Sequence, residues 1–260
     1  MKYVLLMISM LFSTLSWSAP KSELWVYWNQ SNEQNQASIS HHAWQDFLDS
    51  YLVKEGENTL VSYHSVSDLN KAQLNTYIKQ LEQVNPLDYS KNEQYAYWVN
   101  LYNAVTVDLI LEAYPIKSIT KLGGIFSFGP WGDDVVKVNG KDLTLNDIEH
   151  RILRPIWQDA RTHYAVNCAS LGCPNLQQAA FTASNTDALL EQAATQFISS
   201  KKGVHQQGDQ LILSSIYEWF SEDFGNKQSL TKHLEKYQNQ PINLNQKVSY
   251  EYDWSLNESK

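Results

Sequence analysis

The sequence predicts an α+β fold in a single compact domain, with a buried central helix packed with a small antiparallel sheet. Three observations predict it. Helical periods and short strand-like runs are interleaved without regular strand–helix alternation, which argues against a parallel α/β sheet. The stretch from Ser90 to about Ala113 is apolar almost all round a helix: Tyr95, Trp98, Tyr102, Val105 and Leu109 fill one side, and Ala96, Val107 and Leu111 the other. A helix of that kind belongs in the core. No repeat, low-complexity tract or flexible linker interrupts the chain, as expected of one domain.

From the amino terminus, Lys2 precedes an apolar run from Tyr3 to Leu15, and small residues follow at Ser16 and Ser18. This is the pattern of a secretory signal peptide cut after Ser18, giving a leader of residues 1–18 and a single domain of residues 19–260. The run is too short to span a membrane and no second long apolar run follows, so the mature chain is expected to carry no transmembrane anchor. The expected location is periplasmic or secreted, an oxidising compartment.

Trp44, Phe47, Leu48, Tyr51 and Leu52 recur at helical spacing, so residues 41–53 read as a helix. Ser67 caps a second helix carrying Leu74, Ile78 and Leu81, and Ser90 with Glu93 forms a capping box that opens the central helix. A glycine-rich loop, Gly123 to Asp133, follows. Asn139-Gly140 sits between two short alternating runs and reads as a hairpin with a type I′ turn. Thr144 with Asp147 caps a short helix ending near Pro155, and residues 162–167 alternate as a strand does. Residues 186–199 read as a helix, 204–213 as a hairpin, Ser215 with Glu218 as a helix cap, and 248–252 as a last strand.

The 260 residues include 43% hydrophobic and 12% aromatic residues, which is enough for a real core and excludes a disordered chain. The net charge is −8 and no basic run stands out, so no nucleic-acid partner is expected.

Several segments resemble one family. Tyr97-Trp98-Val99-Asn100-Leu101-Tyr102-Asn103-Ala104 resembles the central-helix motif of the family catalogued as domain of unknown function 547. Leu145 to His150 with Ile152-Leu153-Arg154 resembles its second motif. Arg161, His163 and the segment Cys168 to Pro174 resemble its third, and Tyr252 to Asn257 its end. The resemblance runs from about Trp44 to Asn257; Ala160 and Asn167 depart from residues common in the family. It implies a set of positions and no reaction. The arrangement is similar, as an analogy only, to papain- and transglutaminase-like folds. In those folds the nucleophile heads the central helix, where this chain offers Asn100 and Asn103 and no Cys.

The chemistry-bearing residues converge on a few candidates. Cys168 and Cys173 are the only cysteines. They read as a local disulfide, as a pair with a nucleophilic Cys168 thiolate at a turn, or as thiols of a metal site, for which their spacing matches no usual zinc pattern. A nucleophile needs a base. His150 is preferred, because His163 on a continuous strand would point to the opposite face from Cys168. Glu149 falls on the apolar face of its helix and must be paired or have a raised pKa, with Arg154 or the buried amides of Asn100 and Asn103 as partners. Phe126, Phe128 and Trp131 are candidates for lining a groove for a peptide-like or saccharide ligand. His41-His42 and His205 read as surface residues. No metal and no cofactor are expected.

Two functions follow from these residues. One is an exported cysteine-dependent hydrolase or acyl-transferase acting on amide or peptide bonds, with Cys168, His150, Glu149 and Asn103 catalytic and Asn100, Arg154, His163 and Cys173 at the binding site. The other is a non-catalytic envelope binding protein with a disulfide-clamped loop.

Overall fold

A computed structural model describes residues 19–124 and 128–260. The leader and Phe126 therefore lie outside the described residues. The fold is α+β, and α1 (His42–Tyr51) begins it. It gives way to a hairpin, β1 (Leu52–Glu55) and β2 (Asn58–Val61), where the sequence pattern extended the helix to residue 53. Helix α2 (Asp68–Glu82) starts at Ser67, whose hydroxyl accepts from the Asn70 N–H at 3.2 Å.

The central helix α3 (Lys91–Ala113) is buried along most of its length. Ser90 caps it, accepting from the Glu93 N–H at 3.4 Å. Glu93 does not complete the box on Ser90; its Oε1 accepts from the Ile39 N–H at 2.6 Å and so ties down the segment before α1. Helix α3 packs against α2 and against the segment Asp147–Leu153, and Trp98 meets Trp28 edge to face at 5.1 Å. The antiparallel hairpin β3 (Val136–Val138) and β4 (Lys141–Leu143) buries Val136, Val138 and Leu143 in the same core. Its turn uses Asn139 at φ 48° and Gly140 at φ 72°, as the type I′ reading requires.

Residues 147–153 form a π-helical segment that runs into one α-turn, α4 (Arg154–Trp157). Thr144 and Asp147 cap it reciprocally: each backbone N–H donates to the other's side chain at 3.0 Å. Pro155 does not end the helix, which runs on to Trp157.

Residues 162–167 do not form a strand. Thr162–Ala165 is a helical turn, α5, nucleated by Asp159, whose carboxylate accepts from the Arg161 N–H and whose carbonyl accepts from Thr162. Thr162, His163, Tyr164 and Ala165 are all buried, so their alternation marked no solvent-facing side.

Helix α6 (Thr186–Ile198) precedes the hairpin β5 (Val204–Gln207) and β6 (Gln210–Ser214). Three helices follow: α7 (Ile216–Trp219), α8 (Ser221–Phe224) and α9 (Lys227–Gln238). Ser215 is itself helical and its side chain caps nothing. Strand β7 (Lys247–Glu251) then pairs with β6 in parallel, Leu211 opposite Val248. The pairing departs from an all-antiparallel sheet because a long helical crossover returns the chain in the same direction.

Two apolar cores result. One surrounds α3; the other lies among α6, α9 and the three-stranded sheet and holds Phe197, Leu213, Tyr217 and Leu234. Among the described residues no helix is long and apolar enough to cross a membrane. His41, read as a surface residue, is buried with Nδ1 2.7 Å from the Tyr77 hydroxyl.

Candidate functional site

A cleft of about 840 Å³ opens where the two cores meet. Its wall is aromatic. Trp219 stacks on Trp254 with centroids 5.6 Å apart, Tyr252 lies 4.5 Å from Trp254, and Trp131 and Phe128 pack on Trp254 at 5.7 and 5.1 Å. Its floor is polar and is set by the π-helical segment. There the Arg154 N–H reaches back five residues to the Glu149 carbonyl, and Glu149 and His150 both line the cleft. A π-turn inside a helix is often found at functional sites.

Glu149 is buried but well partnered. The Tyr102 hydroxyl donates to its Oε2 at 3.1 Å, and His163 Nδ1 and His150 Nδ1 lie 3.7 and 3.9 Å from its Oε1. His163 also donates through Nε2 to Asp223 Oδ2 at 2.6 Å, and the Arg154 Nε–H donates to the same oxygen at 2.5 Å. The other arm of the guanidinium donates to His150 Nδ1 at 3.0 Å and to the Pro20 carbonyl at 2.9 Å.

Burial alone pushes the Glu149 carboxyl up, but His150, the bond and charge of His163, and Arg154 outweigh it and hold the group at about 2. The same opposition holds Asp223 at about 2, through His163 and Arg154. Burial presses His150 down to about 4, against the pull of Glu149. It also opposes the charged form of His163, but Asp223 and Glu149 overcome it and raise that imidazole above its ordinary value. Near neutral pH the floor thus carries an ionised Glu149 and a neutral His150, with the His163 imidazole biased towards its charged form by Asp223 and Glu149. Because Arg154 donates to His150 Nδ1, the His150 proton sits on Nε2, which is then a donor.

Cys168 and Cys173 are joined in a disulfide, with Cα atoms 6.1 Å apart, and both line the cleft. In this state Cys168 offers no thiolate for nucleophilic attack, which corrects its assignment as a free nucleophile. The Cys168 N–H donates to Cys173 Sγ at 2.8 Å. The Tyr252 hydroxyl lies 2.9 Å from Cys168 Sγ and 3.1 Å from Cys173 Sγ. Among the described residues no group of three or more His, Cys, Asp or Glu side chains is placed to hold a metal ion.

Of the sequence candidates, the cleft gathers Glu149, His150, His163, Cys168, Cys173, Phe128 and Trp131. Arg154 supports them through Asp223 and His150 rather than pairing directly with Glu149. Asn100 and Asn103 do not line the cleft. Asn100 bonds both ways to the backbone of Phe181, at 2.8 and 3.0 Å, and Asn103 bridges the Ala165 carbonyl and the Asn167 N–H at 2.9 and 2.8 Å. They hold the chain segments beside α3, and neither amide partners Glu149. His163 reaches the floor because residues 162–165 turn helically, so the strand geometry that set it aside does not apply.

Sequence reasoning missed Tyr102, Asp223, Trp219 and Phe220, and the first described residues, Ala19 and Pro20, which also line the cleft or its floor. Tyr252 and Trp254 stood in a recognised motif without an assigned role. Asp223, in a short polar helix, carried no signal.

A family model described as "Protein of unknown function, DUF547" matches residues 86–198. No curated protein and no solved structure matches the chain. The matched span takes in α3, Glu149, His150, His163 and both cysteines, and over it the chain resembles the DUF547 family.

Proposed function

We propose that this is an exported envelope protein that binds a saccharide or peptide-like ligand in the aromatic cleft, without cysteine-dependent hydrolysis. The observation that carries this reading is the opposition, across one cleft, of the Trp131–Trp219–Trp254 wall and the ionised Glu149 on the floor. Indole faces take the flat apolar faces of a ligand, and a fixed carboxylate takes its O–H or N–H donors. A saccharide ring presents both together, so it is the ligand class we favour. The cysteine-dependent hydrolase reading requires a free Cys168 thiolate, whereas here the sulfurs are bonded to each other. A disulfide also suits an oxidising compartment, in keeping with the leader pattern at residues 1–18.

The test is a tryptophan-fluorescence titration of residues 19–260 with soluble chito-oligosaccharides and cell-wall glycopeptide fragments. Saturable quenching that is lost in Trp254→Ala and weakened at least tenfold in Glu149→Gln supports the reading. Folded wild-type protein that responds to neither ligand class at millimolar concentration overturns it.

A further inference from the structure

We propose that the Cys168–Cys173 disulfide is redox-active and undergoes thiol–disulfide exchange with a protein dithiol that docks at the cleft. Two independent features of the loop carry this.

First, hydrogen-bond donors converge on the sulfurs. The Cys168 N–H points at Cys173 Sγ, and the Tyr252 hydroxyl lies within 3.1 Å of both sulfurs. The Ser170 hydroxyl lies 3.0 Å from the Tyr252 hydroxyl and 3.2 Å from Cys168 Sγ, so it supplies a further donor to this group. Disulfide sulfur is a weak acceptor and thiolate a strong one. Donors placed in this way stabilise the reduced pair more than the oxidised pair.

Second, the loop does not depend on the disulfide for its shape. Its backbone is bonded to the carboxy-terminal segment: Leu171 N–H to the Ser255 carbonyl and Gly172 N–H to the Asp253 carbonyl, both at 2.8 Å, and Asn257 N–H to the Ala169 carbonyl at 3.2 Å. Gly172 is needed for that approach, since a Cβ there would stand 2.7 Å from the Asp253 nitrogen. Opening the S–S bond leaves these contacts in place.

The exposure of the two cysteines sets the direction of attack. Both cysteines line the cleft, but Cys168 is half-buried whereas Cys173 is buried. A partner thiolate attacks Cys168 Sγ, a new S–S bond forms, and the Cys168–Cys173 bond breaks. Cys173 leaves as a thiolate held by the Cys168 N–H and the Tyr252 hydroxyl. The partner's second thiolate then attacks its own sulfur in the mixed disulfide and releases Cys168. The partner departs as a disulfide, having given two electrons, and two protons end on the cysteine pair.

The experiment equilibrates native residues 19–260 anaerobically in graded reduced and oxidised glutathione, then counts thiols by maleimide mass shift. The expected result is that both thiols appear together within the glutathione range while the circular dichroism is unchanged. Tyr252→Phe should need at least a tenfold more reducing thiol-to-disulfide equilibrium, a fall of about 30 mV for this two-electron couple. Ser170→Ala should move it the same way by less and serves if Tyr252→Phe does not fold. With oxidised glutathione, Cys173→Ser should form a mixed disulfide at Cys168 at least tenfold faster than Cys168→Ser forms one at Cys173. A pair that stays oxidised until the protein unfolds, or equal trapping rates, overturns the proposal. Saccharide titration of the oxidised protein is read separately, so failure here leaves the binding reading standing, and the reverse holds as well.

Discussion

Arg154 and Asp223 meet across the boundary between the two cores: 69 residues apart in sequence, they share a hydrogen bond of 2.5 Å from Nε to Oδ2. Arg154 is buried on the floor of one core and Asp223 comes from α8 of the other. Asp223→Asn takes the carboxylate from the buried Arg154 guanidinium and should destabilise by about 3 kcal/mol. Arg154→Met should cost less, because the half-buried Asp223 keeps its bond to His163 at 2.6 Å. In a double-mutant cycle by urea denaturation, the pair should lose less than the sum of the singles. Additive losses would show that the two do not act as a unit.

Asn100 and Asn103 should prove to be structural. Asn100→Leu leaves the Phe181 N–H and carbonyl without their side-chain partner, at a cost of about 1–3 kcal/mol. Ligand affinity per folded molecule should not change. A specific loss of binding in a fully folded Asn103→Leu protein would return that residue to the site.

Stability should fall towards acid pH, and again as pH rises through the folded value of His163. Burial presses His41, His150 and His233 down to about 4 in the fold. Below 6.5 the unfolded chain therefore binds more protons, and stability falls towards pH 4 by up to about 1.4 kcal/mol per unit for each group. Glu149 and Asp223, held at about 2, extend the loss from their ordinary values, 4.5 and 3.8, down to pH 2. His163 acts in the other sense. Its raised value contributes stability in full below 6.5, and that contribution is lost as pH rises through the folded value. Denaturant midpoints from pH 3 to 9 check this, and His163→Gln should remove the alkaline limb.

The disulfide closes a short loop, worth about 2 kcal/mol by loop entropy. Cys168→Ala and Cys173→Ala should cost similar amounts, and the double variant no more than either. A much larger loss for one would mean that its side chain contributes packing beyond the cross-link.

Export predicts an amino terminus at Ala19 in protein recovered from the envelope, read by N-terminal sequencing. Ala19 and Pro20 line the cleft, with the Pro20 carbonyl on Arg154. Intact Met1 on protein in the soluble cytoplasm would defeat the export reading.

Elements with a local cause are legible along the chain. Ser67 and the Thr144–Asp147 box cap helices, Asn139-Gly140 turns a hairpin, and the all-round apolar pattern of α3 buries it. The sequence also marked Glu149 as an anomaly on an apolar face, because helical spacing is enough to show that. The remaining features arise from packing between distant segments. Residues 162–165 alternate like a strand but turn as a helix, since Asp159 nucleates the turn and both faces are buried. That turn carries His163 to Asp223, a pairing across 60 residues that no local pattern encodes. The amides of α3 were legible as buried, but their partners, the backbone at 165–167 and 181, were not. The aromatic wall depends on β7 returning parallel to β6 through a helical crossover, which sets Tyr252 and Trp254 beside Trp219. Hydrogen bonds and caps act over a few residues and can be read from the chain, whereas a cleft between two cores exists only once distant segments have packed.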